Sequence, residues 1–190
     1  MSELISIIFL IMIILIFLLK YETKYSELTY VKSTVDNQNY LVRNRKDKLK
    51  AANLLASIRK NLFDLVEYLR ENNISDPRVK RLVQKYNPEK ISESIPNTKY
   101  TSYSVNKGEK IVFCIRSKKT DKLVDLNTMM FVAIHELAHV MTVSVGHTEE
   151  FWNNMKYLLK KGIKIGVYKE VDYKTNPKPY CGTKITDSPL

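Results

Sequence analysis

The stretch His135-Glu136-Leu137-Ala138-His139, followed after six residues by Gly146-His147, decides how this chain is read. Positions i and i+4 of a helix share a face, so His135 and His139 can hold one metal ion between their imidazoles. Glu136 stands beside the first of them, where a carboxylate can take a proton from an activated water. A catalytic zinc takes three protein ligands and keeps one position open for that water. His147 is the expected third ligand. On an uninterrupted helix it would lie roughly 12 Å beyond His139, at 1.5 Å per residue, and could not reach the same ion. The helix must therefore stop and the chain turn back, and Gly146 permits such a turn. Glu149 and Glu150 are rival third ligands, but both follow His147 within one helical turn, and His147 has the simpler geometry.

Three features sharpen the signal. All three histidines of the chain fall in this thirteen-residue window. The motif lies in an apolar helical run, Met129 to Val145. A helix-breaking glycine stands directly before the third histidine. The competing reading has two histidines satisfied in a core and a third on the surface, with no metal.

The remainder of the chain supplies the setting. Its 190 residues carry a formal net charge of +11. That length suits one ordinary domain and an appendage. Cys114 and Cys181 do not make a disulfide framework, and the sequence leaves open whether they pair. Leu4 to Leu19 reads LISIIFLIMIILIFLL, sixteen residues with one serine and no charge. We expect residues 1–20 to be an uncleaved transmembrane anchor, slightly short of the usual ~20 residues. Lys20 can snorkel and Tyr21 suits the interface. A cleaved signal peptide is the rival reading, but no basic n-region or A-x-A-like site is present. Lys20, Lys24 and Lys32 follow the segment and only Glu3 precedes it, which places the carboxyl-terminal domain on the cytoplasmic side.

Residues 21–45 read as a polar linker or stalk, and 46–190 as the folded domain. Its first part, 46–90, is a basic helical layer. Leu49, Leu54, Leu55, Ile58, Leu62, Leu65, Val66 and Leu69 recur at helical spacing over about 47–71. Ser75-Asp76-Pro77 starts a second short helix that Asn87-Pro88 closes. Between Arg43 and Lys85, twelve Lys and Arg stand against five Asp and Glu. Such a layer can be a solvated outer face or a contact for nucleic acid or anionic lipid.

The catalytic core is expected over 99–182. Tyr100 to Val105 and Ile111 to Arg116 flank Asn106-Lys107-Gly108-Glu109-Lys110 and read as a hairpin. Asn127-Thr128 can cap the motif helix. Glu149 to Lys160 is a further helix with Phe151, Trp152, Met155, Leu158 and Leu159 on its apolar face. The tail is expected to pack over the core without regular structure. One of its tyrosines, Tyr168, Tyr173 or Tyr180, can stabilise an oxyanion, and the sequence singles out none. A peptide can add as a strand to a sheet edge beside the metal cleft, although no sequence feature identifies that edge.

HELAHVMTVSVGHTEEFW, from His135 to Trp152, resembles the WLM and SprT-like zinc metallopeptidases. His135, Glu136, His139 and His147 match that group's ligand and catalytic positions, and Phe151-Trp152 its aromatic pair. The likeness spans roughly Tyr100 to Gly182 and is strongest to WLM-like proteins of large DNA viruses. It implies an α+β fold with a zincin-like core, a small antiparallel sheet and the HExxH helix. It also implies one Zn2+ ion, peptide-bond hydrolysis and a protein or peptide substrate. Cellular members cleave proteins crosslinked to DNA, whereas this chain carries the apolar amino-terminal segment and no recognisable nucleic-acid module. Two other readings remain open: a non-catalytic zinc-stabilised scaffold, and a basic membrane- or nucleic-acid-binding protein that retains a peptidase-like core.

Overall fold

The computed structural model describes residues 2–96 and 101–190, with side chains described over 4–19 and from 27 onward within those ranges. Helix α1 (Ser2–Ser26) comes first. Its apolar run exposes side chains all round, from Ile13 at 37% to Phe17 at 70%. Among the described residues, however, no helix is long and apolar enough to cross a membrane, so the expected transmembrane anchor over 1–20 is not met. Within the 25 residues of α1 the charge-free run covers sixteen, roughly 24 Å of helix, against a hydrocarbon core of about 30 Å. The flanking side chains of Lys20, Tyr21 and Lys24 lie outside the described residues.

The expected linker over 21–45 also gives way to structure. Strands β1 (Leu28–Lys32) and β2 (Asn39–Arg43) pair antiparallel, with Leu28 opposite Arg43 and Lys32 opposite Asn39. In β2, Tyr40 and Val42 turn inward at 3% and 0% exposure, the alternation that marks a strand with one buried face. The sheet continues through β3 (Ile91–Glu93), β5 (Lys110–Phe113) and β4 (Tyr103–Val105), in the order β1-β2-β3-β5-β4. Because β3 runs parallel to both β2 and β5, the sheet is mixed rather than antiparallel as expected. The β4–β5 hairpin forms as its sequence indicates, with Tyr103 opposite Val112, although Tyr100 lies outside the described residues.

Helix α2 (Lys48–Asn73) covers the sheet. Ala51, Ala52 and Ala56 give it a narrow waist, and Leu55, Leu62, Leu65 and Leu69 fill the space behind it, all fully buried. Helices α3 (Pro77–Lys85), α4 (Leu126–Met141) and α5 (Glu149–Lys164) complete the mixed α and β fold. Asp76 caps α3 by accepting the Arg78 N–H, and Pro77 occupies the first turn, where its missing donor costs nothing. Helix α4 is the hub, packed against α2, α3 and α5 and lined against β4. Its cap is Asp125, which accepts the Thr128 N–H at 2.9 Å and the Thr128 hydroxyl at 2.7 Å. The expected cap at Asn127-Thr128 thus lies two residues upstream. The tail is not irregular throughout: β6 (Lys178–Tyr180) and β7 (Thr183–Ile185) form a second, two-stranded sheet around the turn Cys181-Gly182. Cys114 and Cys181 are joined in a disulfide.

One buried ion pair stitches the sheet to α2. Arg116, just past β5, donates from Nε to Glu93 of β3 and from Nη1 to Asp47 ahead of α2, each at 2.8 Å. The other Glu93 oxygen accepts the Arg43 N–H of β2 at 2.7 Å. Burial pushes the Glu93 carboxyl up, and the Arg43 N–H and Arg116 guanidinium oppose that push. Asp47 spends its carboxylate on Arg116, which accounts for α2 having no side-chain cap. Removing one partner of such a pair leaves a buried charge uncompensated. Arg116→Ala is therefore expected to lower unfolding free energy by about 3–5 kcal/mol in urea titration. A loss below ~1 kcal/mol, the value of a surface pair, would show that Glu93 finds another partner.

Candidate metal centre

Helix α4 carries His135 and His139 one turn apart on the face that opens into a cleft of about 980 Å³. Their ring centroids are 4.9 Å apart. The helix ends at Thr142, whose hydroxyl and N–H both donate to the Ala138 carbonyl. Asn154 of α5 in turn donates to the Thr142 hydroxyl oxygen at 2.9 Å. The chain then reverses through Gly146, at φ +86, and returns His147 to the cleft. His147 Nε2 lies 3.1 Å from His135 Nε2, and one nitrogen from each of the three imidazoles falls within 4.8 Å of the others.

The returning segment is clamped on both faces. Lys107, in the β4–β5 turn, donates from Nζ to the carbonyls of Thr142, Val143 and Ser144 at 2.9, 2.6 and 2.9 Å. The carboxylate of Glu150 accepts the N–H groups of Val143 and Ser144 at 2.9 and 3.0 Å, and the Ser144 hydroxyl at 2.7 Å. Those bonds, led by the Val143 N–H, hold the Glu150 carboxyl down at about 2. Glu150 therefore positions the turn, and the structure does not place it among the imidazoles as a rival ligand. The turn bearing Lys107 is fixed by close approach: a Cβ on Gly108 would meet the Lys85 carbonyl at 2.5 Å and Val140 at 2.9 Å.

Phe151, fully buried, forms the floor beneath all three rings, with centroids at 4.8 Å from His135, 4.3 Å from His139 and 4.7 Å from His147. Trp152 is half exposed beside His147, 5.5 Å away. The sequence places Phe151 on an apolar face; its service to three imidazoles at once appears only when the chain turns back. Burial, and then the neighbouring imidazoles, push His135 down to about 3. Burial, His147 and Lys107 push His139 down to about 4. Both rings are thus neutral at pH 7, the form that binds a metal. Three imidazoles at this spacing fit one ion with nitrogen ligands at about 2.0–2.1 Å.

Glu136 is buried at 4% exposure on the cleft wall, and the Ser104 N–H of β4 faces its carboxylate. Burial pushes its carboxyl up to about 8, and the Ser104 N–H works in the opposite direction. Strand β4 is an outer strand of the sheet and lines the cleft, which supplies the edge that the sequence left unassigned. Of the three tail tyrosines, Tyr180 lines the cleft. Tyr168 and Tyr173 instead pack against Phe131, with centroids at 6.0 and 4.7 Å.

With that geometry in view, comparison with known families is decisive: the WLM domain matches residues 34–188. The chain belongs to the WLM domain family. The match begins between the first two strands, so β2 lies within the WLM domain and β1 directly ahead of the match. An uncharacterized protein of Acanthamoeba polyphaga mimivirus is 41% identical over 180 residues, covering 93% of this chain and 91% of that protein. An uncharacterized protein of Invertebrate iridescent virus 6 is 38% identical over 82 residues, 42% of this chain and 44% of its own. These relatives make it similar to WLM proteins of large DNA viruses. Among solved structures, Wss1 from Saccharomyces cerevisiae shares the fold, with a TM-score of 0.50 and 20% identity over 66% of this chain and 86% of that one.

The clamp on residues 142–147 generates a prediction. Lys107→Met and Glu150→Ala are each expected to weaken Zn2+ binding by about 10-fold or more, as loss of the groups that orient a ligand does elsewhere. Competition with a chromophoric chelator measures this, and circular dichroism checks that the fold persists. Unchanged affinity in both variants would show that His147 is held by Phe151 and Gly146 alone.

Proposed function

We propose that this WLM domain is a zinc-dependent endopeptidase, with His135, His139 and His147 as metal ligands and Glu136 as general base. The observation that supports it best is convergence. Three imidazole nitrogens gather within 4.8 Å beside a buried carboxylate, in a cleft bordered by an outer strand. A zinc ion bound there supplies a Lewis acid: it brings the pKa of water toward about 7, polarises a carbonyl and draws Glu136 into its ionised form.

The remaining chemistry belongs to the chain. Glu136 takes the proton of the attacking water and later gives it to the departing amine. The Ser104 N–H of β4 faces that carboxylate across the same cleft, so the base sits where an extended substrate would lie. A polypeptide laid antiparallel along β4 uses main-chain hydrogen bonds for affinity, which suits unfolded segments of varied sequence. A non-catalytic scaffold gives no reason for an acid to stand buried beside the ligands, since a structural zinc site closes with a fourth protein ligand.

Attachment to a lipid surface rests on a separate feature. The run Leu4–Leu19 exposes apolar side chains all round, and contact with acyl chains would remove them from water. Co-sedimentation of the full chain with vesicles, against a chain in which Ile8, Ile11 and Leu15 are replaced by serine, measures that attachment. Retention of binding by the replaced chain would rule it out.

The peptidase reading is tested with zinc-loaded full-length protein and an unfolded general substrate. Glu136→Gln is expected to keep one equivalent of zinc while cleavage falls by about 10² to 10⁴-fold. Chelation is expected to abolish cleavage and added Zn2+ to restore it. A Glu136→Gln variant cleaving at the wild-type rate would remove Glu136 from the mechanism.

A further inference from the structure

A closed circuit of contacts runs along one wall of the cleft. Ser102, directly before β4, accepts the Cys114 N–H at 3.0 Å, and its Oγ lies 2.5 Å from the Tyr180 hydroxyl. Cys114 is bonded through its sulfur to Cys181, the residue after Tyr180. The circuit Ser102, Tyr180, Cys181, Cys114 therefore ties the β6–β7 hairpin to the β4–β5 end of the main sheet. That hairpin is a sheet of its own, and it gives Tyr180 and Ile185 to the cleft lining.

The hydrogen-bond count shows what Tyr180 has to offer. A hydroxyl carries one donor and two acceptor positions. Ser102 Oγ already accepts from the Cys114 N–H, so it can give its own hydrogen to the Tyr180 oxygen. The Tyr180 hydrogen is then free to point into the cleft. Tyr180 is 5% exposed, and burial first, with Glu136 adding to it, pushes the phenol up and keeps it protonated. Tyr180 and Glu136 line the same cleft. Ser102 and Ser104 are two positions apart, about 7 Å along an extended chain. The Ser104 N–H faces Glu136 and Ser102 holds Tyr180, so base and phenol flank roughly one dipeptide of a strand laid on β4.

We propose that Tyr180 donates a hydrogen bond to the oxyanion that forms as the scissile carbonyl is attacked, and that the Cys114–Cys181 disulfide holds it there. The proposal rests on the peptidase reading of the same cleft. It makes cleavage sensitive to thiols. Two equivalents of a thiol open the bond by exchange: the cysteines take up two electrons and two protons and become thiols, and the reagent leaves as its own disulfide. Disulfides last in oxidising compartments and open in reducing ones, so the hairpin would be fixed in the first and loosened in the second.

The experiment uses zinc-loaded full-length protein, oxidised, reduced with glutathione, and reoxidised, with zinc content measured in each state. Amide hydrogen exchange over 178–185 is read without substrate. Reduction is expected to speed exchange there while α4 stays protected, and reoxidation to restore it. In cleavage assays, Tyr180→Phe is expected to keep zinc and a KM within about twofold while kcat falls by about 10²-fold, the usual cost of losing one oxyanion donor. Reduction of the wild type is expected to lower kcat by on the order of 10-fold through misplacement of the phenol. The Cys114→Ser/Cys181→Ser double variant is expected to match the reduced protein and to ignore glutathione. Exchange over 178–185 that does not respond to reduction would overturn the tether, and wild-type kcat in Tyr180→Phe would overturn the donor. A wild type that cleaves no substrate in any state would overturn the peptidase reading and the donor together, while exchange still decides the tether.

Discussion

Everything at the centre depends on bringing His147 back. Two imidazoles one turn apart on α4 come at no structural cost, because helix geometry places them together. The third has to be carried against the direction in which the helix is heading. A free turn of five residues would adopt many conformations, each fixed residue costing about 1–2 kcal/mol of backbone entropy. Here the turn's polar groups are taken up one by one. Lys107 accepts the burden of three carbonyls, Glu150 that of two N–H groups and a hydroxyl, and Asn154 fastens the Thr142 side chain. The charges suit their places: an ammonium at the carbonyl end of α4 and a carboxylate in the first turn of α5, each favoured by the local helix dipole.

The rest of the fold holds those clamps in register. Lys107 rides on a turn pressed against α3 and α4 at Gly108, so its position is set by the β4–β5 hairpin and by the end of α3. The hairpin is fixed by β3, and β3 by the Arg116–Glu93 pair that also reaches β2 and the start of α2. A chain of contacts therefore runs from the first hairpin to the third histidine. This is why residues 28–43 belong with the domain: they cover the flank of β3 that would otherwise present an open edge.

What could be read from the sequence is what is local. The helices α2, α3, α4 and α5 follow from apolar spacing, the β4–β5 hairpin from two β-rich runs around a glycine turn, and the gathering of three histidines from the need for a turn at Gly146. The misreadings share a cause, since each depends on partners distant in the chain. Asn39 to Arg43 is too short and mixed to announce a strand, and its inward Tyr40 and Val42 make sense only once α2 lies over them. The three residues of β3 carry no periodic signal, so parallel pairing with β2 and β5 was invisible and the sheet was taken as antiparallel. The tail hairpin did leave a mark: Cys181 and Gly182 both adopt positive φ, at +46 and +83, in a two-residue turn where a residue followed by glycine is the usual signature.

The cleft then has two walls of different character. One is β4, built into the main sheet and stiffened by β5, and its Ser104 N–H faces Glu136. The other is the β6–β7 hairpin, outside the main sheet and fastened to it by a covalent bond and a shared hydroxyl. A base must keep its place through the whole reaction, so it belongs on the rigid wall. A donor that acts only on the developing oxyanion can stand on a wall whose attachment is reversible. Dividing the machinery in this way lets the metal ligands and the base remain assembled, with Phe151 beneath them, while the second wall alone responds to the redox state of the surroundings.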